Sequence, residues 1–451
     1  MKKRFRELER TLGAAMFVLL LVTSSWGAIT ITVGTDPSKQ ILKGKIVTPD
    51  QILDGEVVIE GETITCVAVD CDDPTGATIF TITNAYIFPG FIDAHNHVAY
   101  NFLPKWTPPK VYQNRGQWQA SQSYKDFKKP YDELKAKGLF CEIVKYGEIK
   151  ALLSGITTIQ GTSPNNKCFS TLIRNAENQN GLGLNGSRVR TYILDIKGWD
   201  LKVDWTVTKS YVFHIAEGVD EKFRAEFDTL KQKNLFRAET AIIHGTAFGE
   251  NEFKQMGQVG AKLIWSPQSN LVLYQKTTNI KLALENGVLV SLGVDWNPSG
   301  SNNIFDELRV AEQVNATEFG NAIQTSDWIK MITLNPAKTL ALDEKVGRLA
   351  SGLKADISVL ASKDLDPHQS LLKTHLQDVQ MVLVGGNLLY GNNAVVKKVK
   401  SGQCEQLMVY GSTKRVCVKD TKANVPKSGQ TLGDIQSIIQ TNYSGLAPLT
   451  P

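Results

Sequence analysis

The sequence predicts an α/β protein: a (β/α)8 TIM-like barrel with a small flanking β-sandwich domain built from both chain ends. Three observations lead there. Between residues 91 and 340, short β-branched runs alternate with helix-like runs at the pitch of βαβ units, as a parallel sheet requires. Residues 29–90 and the stretch from 346 are instead strand-rich and punctuated by turns. Four of the six histidines, together with one aspartate, close strand-like runs. In a barrel, the C-terminal ends of such strands converge on one face.

Each element can be taken in order. Residues 1–27 form a targeting segment: a basic start in KKRFRELER, the apolar LGAAMFVLLLV, then Ser25-Trp26-Gly27 before Ala28. The apolar stretch is short for a bilayer span; an uncleaved anchor is the alternative reading. The expectation is therefore an exported protein, periplasmic or secreted, with no stable membrane insertion once the leader is removed. Residues 28–90 and 341–420 form the flanking β domain, 91–340 the barrel, and 421–451 a flexible tail rich in Lys, Pro, Ser and Gly. Within the barrel the strand-like runs are FPGFIDAHNH, SGITTIQGT, RVRTYILDI, YVFHIAE, AETAIIHG, AKLIWSP and VLVSLGVD. That is seven; the fourth of eight is not legible, and falls near 197–208. CFSTLIRNAENQ reads as the helix after the second strand. An insert at 99–135 carries Trp106, Tyr112, Trp118, Tyr124 and Tyr131. As a loop over the barrel mouth it either stacks on a planar substrate or packs itself down.

Charge and cysteine use narrow the function. Residues 1–27 hold five Lys/Arg against two Glu, so the net +5 of the whole chain leaves about +2 for the rest. No basic stripe with interleaved aromatics appears, which argues against a nucleic-acid partner. Six cysteines in an exported chain allow three disulfides. Local pairing is the simplest of the connectivities: Cys66 with Cys71, Cys404 with Cys417, leaving Cys141 and Cys168. No C-x-x-C occurs, so a cysteine metal site is disfavoured.

The chemistry lies in five residues. His95 and His97 end FPGFIDAHNH, His214 opens His-Ile-Ala-Glu, His244 ends ETAIIH, and Asp295 closes VLVSLGVD. Imidazoles and a carboxylate at one barrel end can hold a divalent cation and leave a position open for water. Glu217, three residues beyond His214, can accept a proton from that water and pass it on.

These runs are identified as those of the amidohydrolase superfamily, within its cytosine-deaminase and chlorohydrolase-like branch. PGFIDAHNH resembles the family's Pro-Gly-Phe-Ile-Asp-x-His-x-His, HIAEG its His-x-x-Glu, and IIHG its sixth-strand histidine. WSPQSN is similar to Cys-Pro-x-Ser-Asn, LGVD to Leu-Gly-Thr-Asp, and GLKADISVL to the family's return strand. The likeness spans roughly residues 40–395. It implies one divalent metal ion, zinc or iron, on His95, His97, His214 and Asp295. It further implies Glu217 as proton shuttle, with His244 and Asp295 orienting the water or substrate. The activity implied is hydrolytic deamination of a heterocyclic amine, a small-molecule substrate, through a metal-activated water. Trp296 and Trp106 are the candidate substrate-binding rings.

Three departures stand out. The stretch between Gly161 and Tyr211 is short for two strand–helix units. Val294 stands where the family has Thr or Ser. An unusual Trp296-Asn297-Pro298-Ser299-Gly300 follows Asp295. A dinuclear cyclic-amide or dipeptide hydrolase would need a carboxylated lysine, for which Lys197 is the candidate. A non-catalytic binding protein would have lost ligands, and none is lost. The sequence leaves the oligomeric state open, a homo-oligomer included.

Overall fold

A computed structural model describes residues 28–161, 168, 170–177, 189–192 (backbone only), 203–400, 402, 404–420 and 427–450. The leader and Lys197 lie outside these residues. Eight short parallel strands surround the site: β1 (Phe91–Asp93), β2 (Ile156–Ile159), β3 (Arg174–Asn175), β4 (Val189–Tyr192), β5 (Ser210–Ile215), β6 (Thr240–His244), β7 (Lys262–Trp265) and β8 (Val290–Leu292). They form two sheets, β8-β7-β6-β5-β4 and β1-β2-β3. Backbone hydrogen bonds from Ala94 to Leu292 (3.2 Å) and from Asp295 to His95 (2.8 Å) join β1 to β8. Among the described residues no pairing joins β3 to β4. The architecture is thus a distorted barrel of the TIM type, arranged as one arc of eight strands.

Two strand positions differ from the sequence reading. Val189–Tyr192, within the run read as the third strand, pairs with β5 and so occupies the fourth place. The third place belongs to Arg174 and Asn175, which pair with Thr158 and Ile159. They lie inside the run read as a helix. A two-residue strand is too short to show any alternation, so periodicity could not reveal it.

The described strands flanking the barrel are hydrogen-bonded into one ten-stranded sheet. The ends of the chain meet where Ile357–Ala361 pairs antiparallel with Ala85–Pro89. The long strand Thr78–Pro89 also pairs with Ala28–Thr32 and Lys39–Val47. Asn84, with φ of 51°, bends it midway; asparagine tolerates that left-handed conformation better than most residues.

A buried ion pair ties the sheet to the barrel. The Arg174 guanidinium of β3 donates from Nε and Nη2 to the two oxygens of Asp356, at 2.7 and 2.9 Å. Asp356 also accepts from the Gly385 amide at 2.7 Å.

The tail, expected to be flexible, contains a helix at Leu432–Asn442. Leu432, Ile435 and Ile439 are buried at helical spacing and face the helix Phe140–Leu153. Thr431 caps the helix by accepting from the Asp434 amide at 2.9 Å. Beyond it, the Ala447 amide donates to the Phe102 carbonyl at 2.8 Å. The apolar triplet outweighs the disorder-promoting composition around it.

The insert is mostly helical rather than a loop. Asn114 and Ser121 accept from the Gln117 and Tyr124 amides and so start helices Arg115–Ala120 and Gln122–Ala136. No helix among the described residues is long and apolar enough to cross a membrane. The cysteines pair as Cys66–Cys71, Cys141–Cys168 and Cys404–Cys417.

Two outcomes follow. Asp356→Ala leaves the Arg174 charge buried without its partner, so chemical denaturation should show a loss of about 3–5 kcal/mol. Thiol titration of the unfolded but unreduced protein should find no free cysteine, since all six are paired; six thiols would contradict the pairing.

A candidate metal centre at the barrel mouth

The site is assembled from strand ends and the residues just past them. His95 and His97 follow β1, His214 lies in β5, His244 ends β6 and Asp295 lies three residues beyond β8. Three backbones here adopt left-handed conformations: Ala216 (φ 54°), His244 (φ 71°) and Asp295 (φ 65°). Each costs roughly 1–3 kcal/mol, a strain that persists only where surrounding contacts hold it. Gly293 permits the close approach of β8 to β1, because a Cβ there would sit 2.8 Å from the His95 nitrogen.

The donor atoms converge. Asp295 Oδ1 is 3.1 Å from His95 Nε2 and 3.4 Å from His97 Nε2, and His214 Nε2 is 3.1 Å from His95 Nε2. His97 is partly exposed, while the other three are buried.

Hydrogen bonding decides which nitrogens carry protons. Glu177 accepts from Gln160 Nε2 at 3.2 Å and from the Gly161 amide at 3.1 Å. That turns Gln160 Oε1 toward His95 Nδ1, 3.0 Å away, so Nδ1 carries a hydrogen and, in the neutral ring, Nε2 holds the lone pair. Nε2 faces a carboxylate oxygen and a second imidazole nitrogen, all of them buried. One cation satisfies all of them together, so the donor set fits a divalent metal.

His244 is polarised the other way. The Trp265 indole can only donate, and it does so to Thr277 Oγ1 at 2.7 Å. Thr277 donates to Asn270 Oδ1 at 3.3 Å, and Asn270 Nδ2 lies 3.1 Å from His244 Nδ1. His244 therefore accepts at Nδ1 and carries its hydrogen on Nε2. That nitrogen lies 3.7 Å from Glu217 Oε2 and 3.9 Å from Asp295 Oδ2. Although close enough to form a donor triplet with His95 and His214, it is placed to donate a hydrogen bond instead.

The electrostatics agree. Burial first, then the neighbouring imidazoles, pushes His214 well below its ordinary pKa. Burial lowers His244 to about 3 despite the Asp295 charge. Both rings are thus neutral. Burial raises Glu217 to about 7; Arg115 pulls it back in part and Asp295 adds to the rise. Burial opposes a charge on Asp295 too, but the His95 and His97 rings against Oδ1 outweigh it and hold the carboxylate well below its usual range, and Asp295 in turn lifts His95 above its ordinary value against burial. Its Oδ2 accepts from Ser269 at 2.5 Å. Val294 turns its side chain into the core, while its amide donates to Asp93 at 3.0 Å.

Trp106 and Trp296 come together, with ring centroids 5.8 Å apart, in a buried cluster with Tyr112, Trp118 and Tyr274. Trp118 stacks on Trp296 at 6.2 Å and 16°. Much of the aromatic surface of the insert is therefore spent on packing. Lys105 donates to the carbonyls of Asn297 and Gly300 and pins the Trp296 loop from the insert side.

Sequence reasoning missed Gln160, Glu177, Ser269, Asn270 and Tyr274. Ser269 and Asn270 lie in WSPQSN, where the motif offered a signal. Gln160, one residue past β2, offered little, and Tyr274 none.

A barrel with this donor set at its strand ends defines a metal-dependent hydrolase fold. A family model described as the amidohydrolase family matches residues 218–413, a span that holds His244 and Asp295 but not the first three histidines. A 5-methylthioadenosine/S-adenosylhomocysteine deaminase of Thermoanaerobacter pseudethanolicus is 22% identical over 417 residues, 80% of this chain and 93% of the relative. A protein of the same description from Pyrococcus abyssi is 31% identical over 195 residues, 39% of this chain and 45% of the relative. Among solved structures, an atrazine chlorohydrolase of Arthrobacter aurescens complexed with zinc aligns with a TM-score of 0.62 at 15% identity, covering 77% of this chain and 94% of that one. An E. coli guanine deaminase aligns at 0.60 and 18% identity, covering 78% and 100%. Residues 218–413 thus match the amidohydrolase family, and the fold is related to that of the deaminase and chlorohydrolase structures. The protein is a hydrolase of the amidohydrolase type.

If the donor set holds metal, His95→Ala and His97→Ala should each purify with little of it, measured by elemental analysis. A full metal complement in either variant would contradict the ligand set.

Proposed function

We propose that the protein is a hydrolytic deaminase of a heterocyclic amine, working with one divalent ion, zinc or iron, on His95, His97, His214 and Asp295. The observation that carries this reading is Glu217: a buried carboxylate whose pKa lies near 7, 3.7 Å from the His244 Nε2 donor and beside the ligand cluster. A cation bound there supplies positive charge that makes a nearby water acidic enough to lose a proton near neutral pH. Glu217 accepts that proton and delivers it to the departing nitrogen. The water oxygen bonds to the ring carbon, the carbon–nitrogen bond breaks, and the amine leaves as ammonia. His244 donates from Nε2 to the oxygen on which charge builds, and the free face of Asp295 Oδ2 orients the attacking water. Trp296, next in the chain to Asp295, is the ring assigned to the substrate, with Trp106 behind it.

The names of the relatives support a planar nitrogen heterocycle. Three disulfides support an oxidising compartment outside the cytoplasm.

The test is ammonia release from 5-methylthioadenosine, S-adenosylhomocysteine, guanine, cytosine, pterins and triazines, with wild type and Glu217→Gln compared. The variant should keep its metal and lose about 10²–10⁴-fold in turnover. Unchanged turnover with metal in place would remove Glu217 from the chemistry. Failure of every compound to release ammonia would count against deamination.

A further inference from the structure

We propose that Tyr274 and Trp118 are positioning residues for Glu217, which makes the insert after β1 part of the proton-transfer apparatus and not only a cover. This rests on the reading of Glu217 as the proton carrier.

Tyr274 ends the helix Pro267–Tyr274 and is 2% exposed. Its hydroxyl donates to Glu217 Oε1 at 2.8 Å. The same hydroxyl accepts from Trp118 Nε1 at 2.9 Å. An indole nitrogen only donates, so the phenol's lone pair is engaged from that side and its proton points to Glu217. One carboxylate oxygen is therefore held as an acceptor. The other, Oε2, faces His244 Nε2. The relay thus selects which oxygen is left for the proton in flight.

The backbone of the insert grips the same residue. The Arg115 amide donates to the Glu217 carbonyl at 3.0 Å, and the Val219 amide to the Gln113 carbonyl at 2.7 Å. Asn114 and Gly218 form an isolated bridge. Gly218 has φ of 150°, and a Cβ on it would lie 2.4 Å from the Gln113 oxygen, so only glycine allows this contact. The Arg115 guanidinium holds Glu226 with bonds of 3.0 and 2.6 Å. Glu226 in turn accepts from the Ala216 amide at 2.9 Å. Residues 113–118 therefore hold Glu217 by its main chain and, through Tyr274, by its side chain. Trp118 also stacks on Trp296, adjacent to Asp295, so one indole touches both sides of the site. A residue that only fills space would not be sensitive to loss of a hydroxyl.

The experiment uses the zinc-loaded full chain. Tyr274→Phe removes one oxygen and keeps the ring. kcat for the compound releasing most ammonia should fall about 10–100-fold, the span of a lost hydrogen bond to a charged group, with KM within about threefold and zinc content unchanged. Trp118→Phe tests the relay without touching Tyr274 and should lower kcat about three- to tenfold, with the double variant no slower than Tyr274→Phe alone. A readout free of turnover is the Trp118 indole N–H resonance in ¹⁵N-labelled protein, identified by its loss in Trp118→Phe. It should shift in Tyr274→Phe and in Glu217→Gln. Wild-type kcat in Tyr274→Phe with Glu217→Gln inactive would overturn the inference and spare the proton-carrier reading. An indole resonance unmoved by both substitutions would overturn it as well. Wild-type turnover in Glu217→Gln would instead remove the reading on which it rests.

Discussion

Asp295 is the contact on which the barrel mouth depends. Its Oδ1 stands between His95 and His97, and its Oδ2 is anchored by Ser269. Its backbone closes β8 onto β1 through the His95 carbonyl. A buried carboxylate is tolerable here only where protons on the neighbouring imidazoles or a cation compensate it. The fold keeps it there by holding Asp295, His244 and Ala216 in left-handed backbone conformations. Such strain persists only where surrounding contacts over-determine it. Gly293, which lets β8 approach His95, and the hydrogen bonds around Asp93 are those contacts.

Around this centre the hydrogen-bond networks are directional. Glu177 acts through Gln160 to keep a hydrogen on His95 Nδ1 and turn Nε2 to the ligand cluster. Trp265 acts through Thr277 and Asn270 to leave His244 Nε2 as a donor. Each chain starts from a group able to play only one role, a carboxylate that accepts or an indole that donates. Two histidines with the same side chain thereby acquire opposite functions 6.1 Å apart, centroid to centroid. Orientation of first ligands by outer partners is the usual way such sites are tuned.

The flanking sheet and the tail serve the site at a distance. Arg174 and Asp356 lock β3, a strand of two residues, to the sheet that the two ends of the chain build together. The docked tail fastens to Phe102, just beyond the His95-Asn96-His97 turn. Both contacts brace elements too short to hold themselves by strand pairing alone.

The separation between what was legible and what was not follows interaction range. Local pattern in the sequence announced the strand–helix alternation, the strand-rich ends, and the five residues that close apolar runs and converge in space. It also placed Glu217, because a three-residue step from a strand-borne histidine is local. It misplaced the third and fourth strands, because a two-residue strand carries no period, and it took the tail helix for a disordered end because composition masked three apolar residues. The proton positions on His95 and His244 were beyond it, as were the grip of the insert on Glu217 and the burial of Trp106 and Trp296 within the aromatic cluster. These depend on partners far apart in the chain, such as His95 with Gln160 at 65 residues and Trp118 with Tyr274 at 156, and on backbone conformations that no residue's own preference would choose. The sequence by itself determined which side chains stand at strand ends; only the tertiary structure decided which atoms of those side chains face one another.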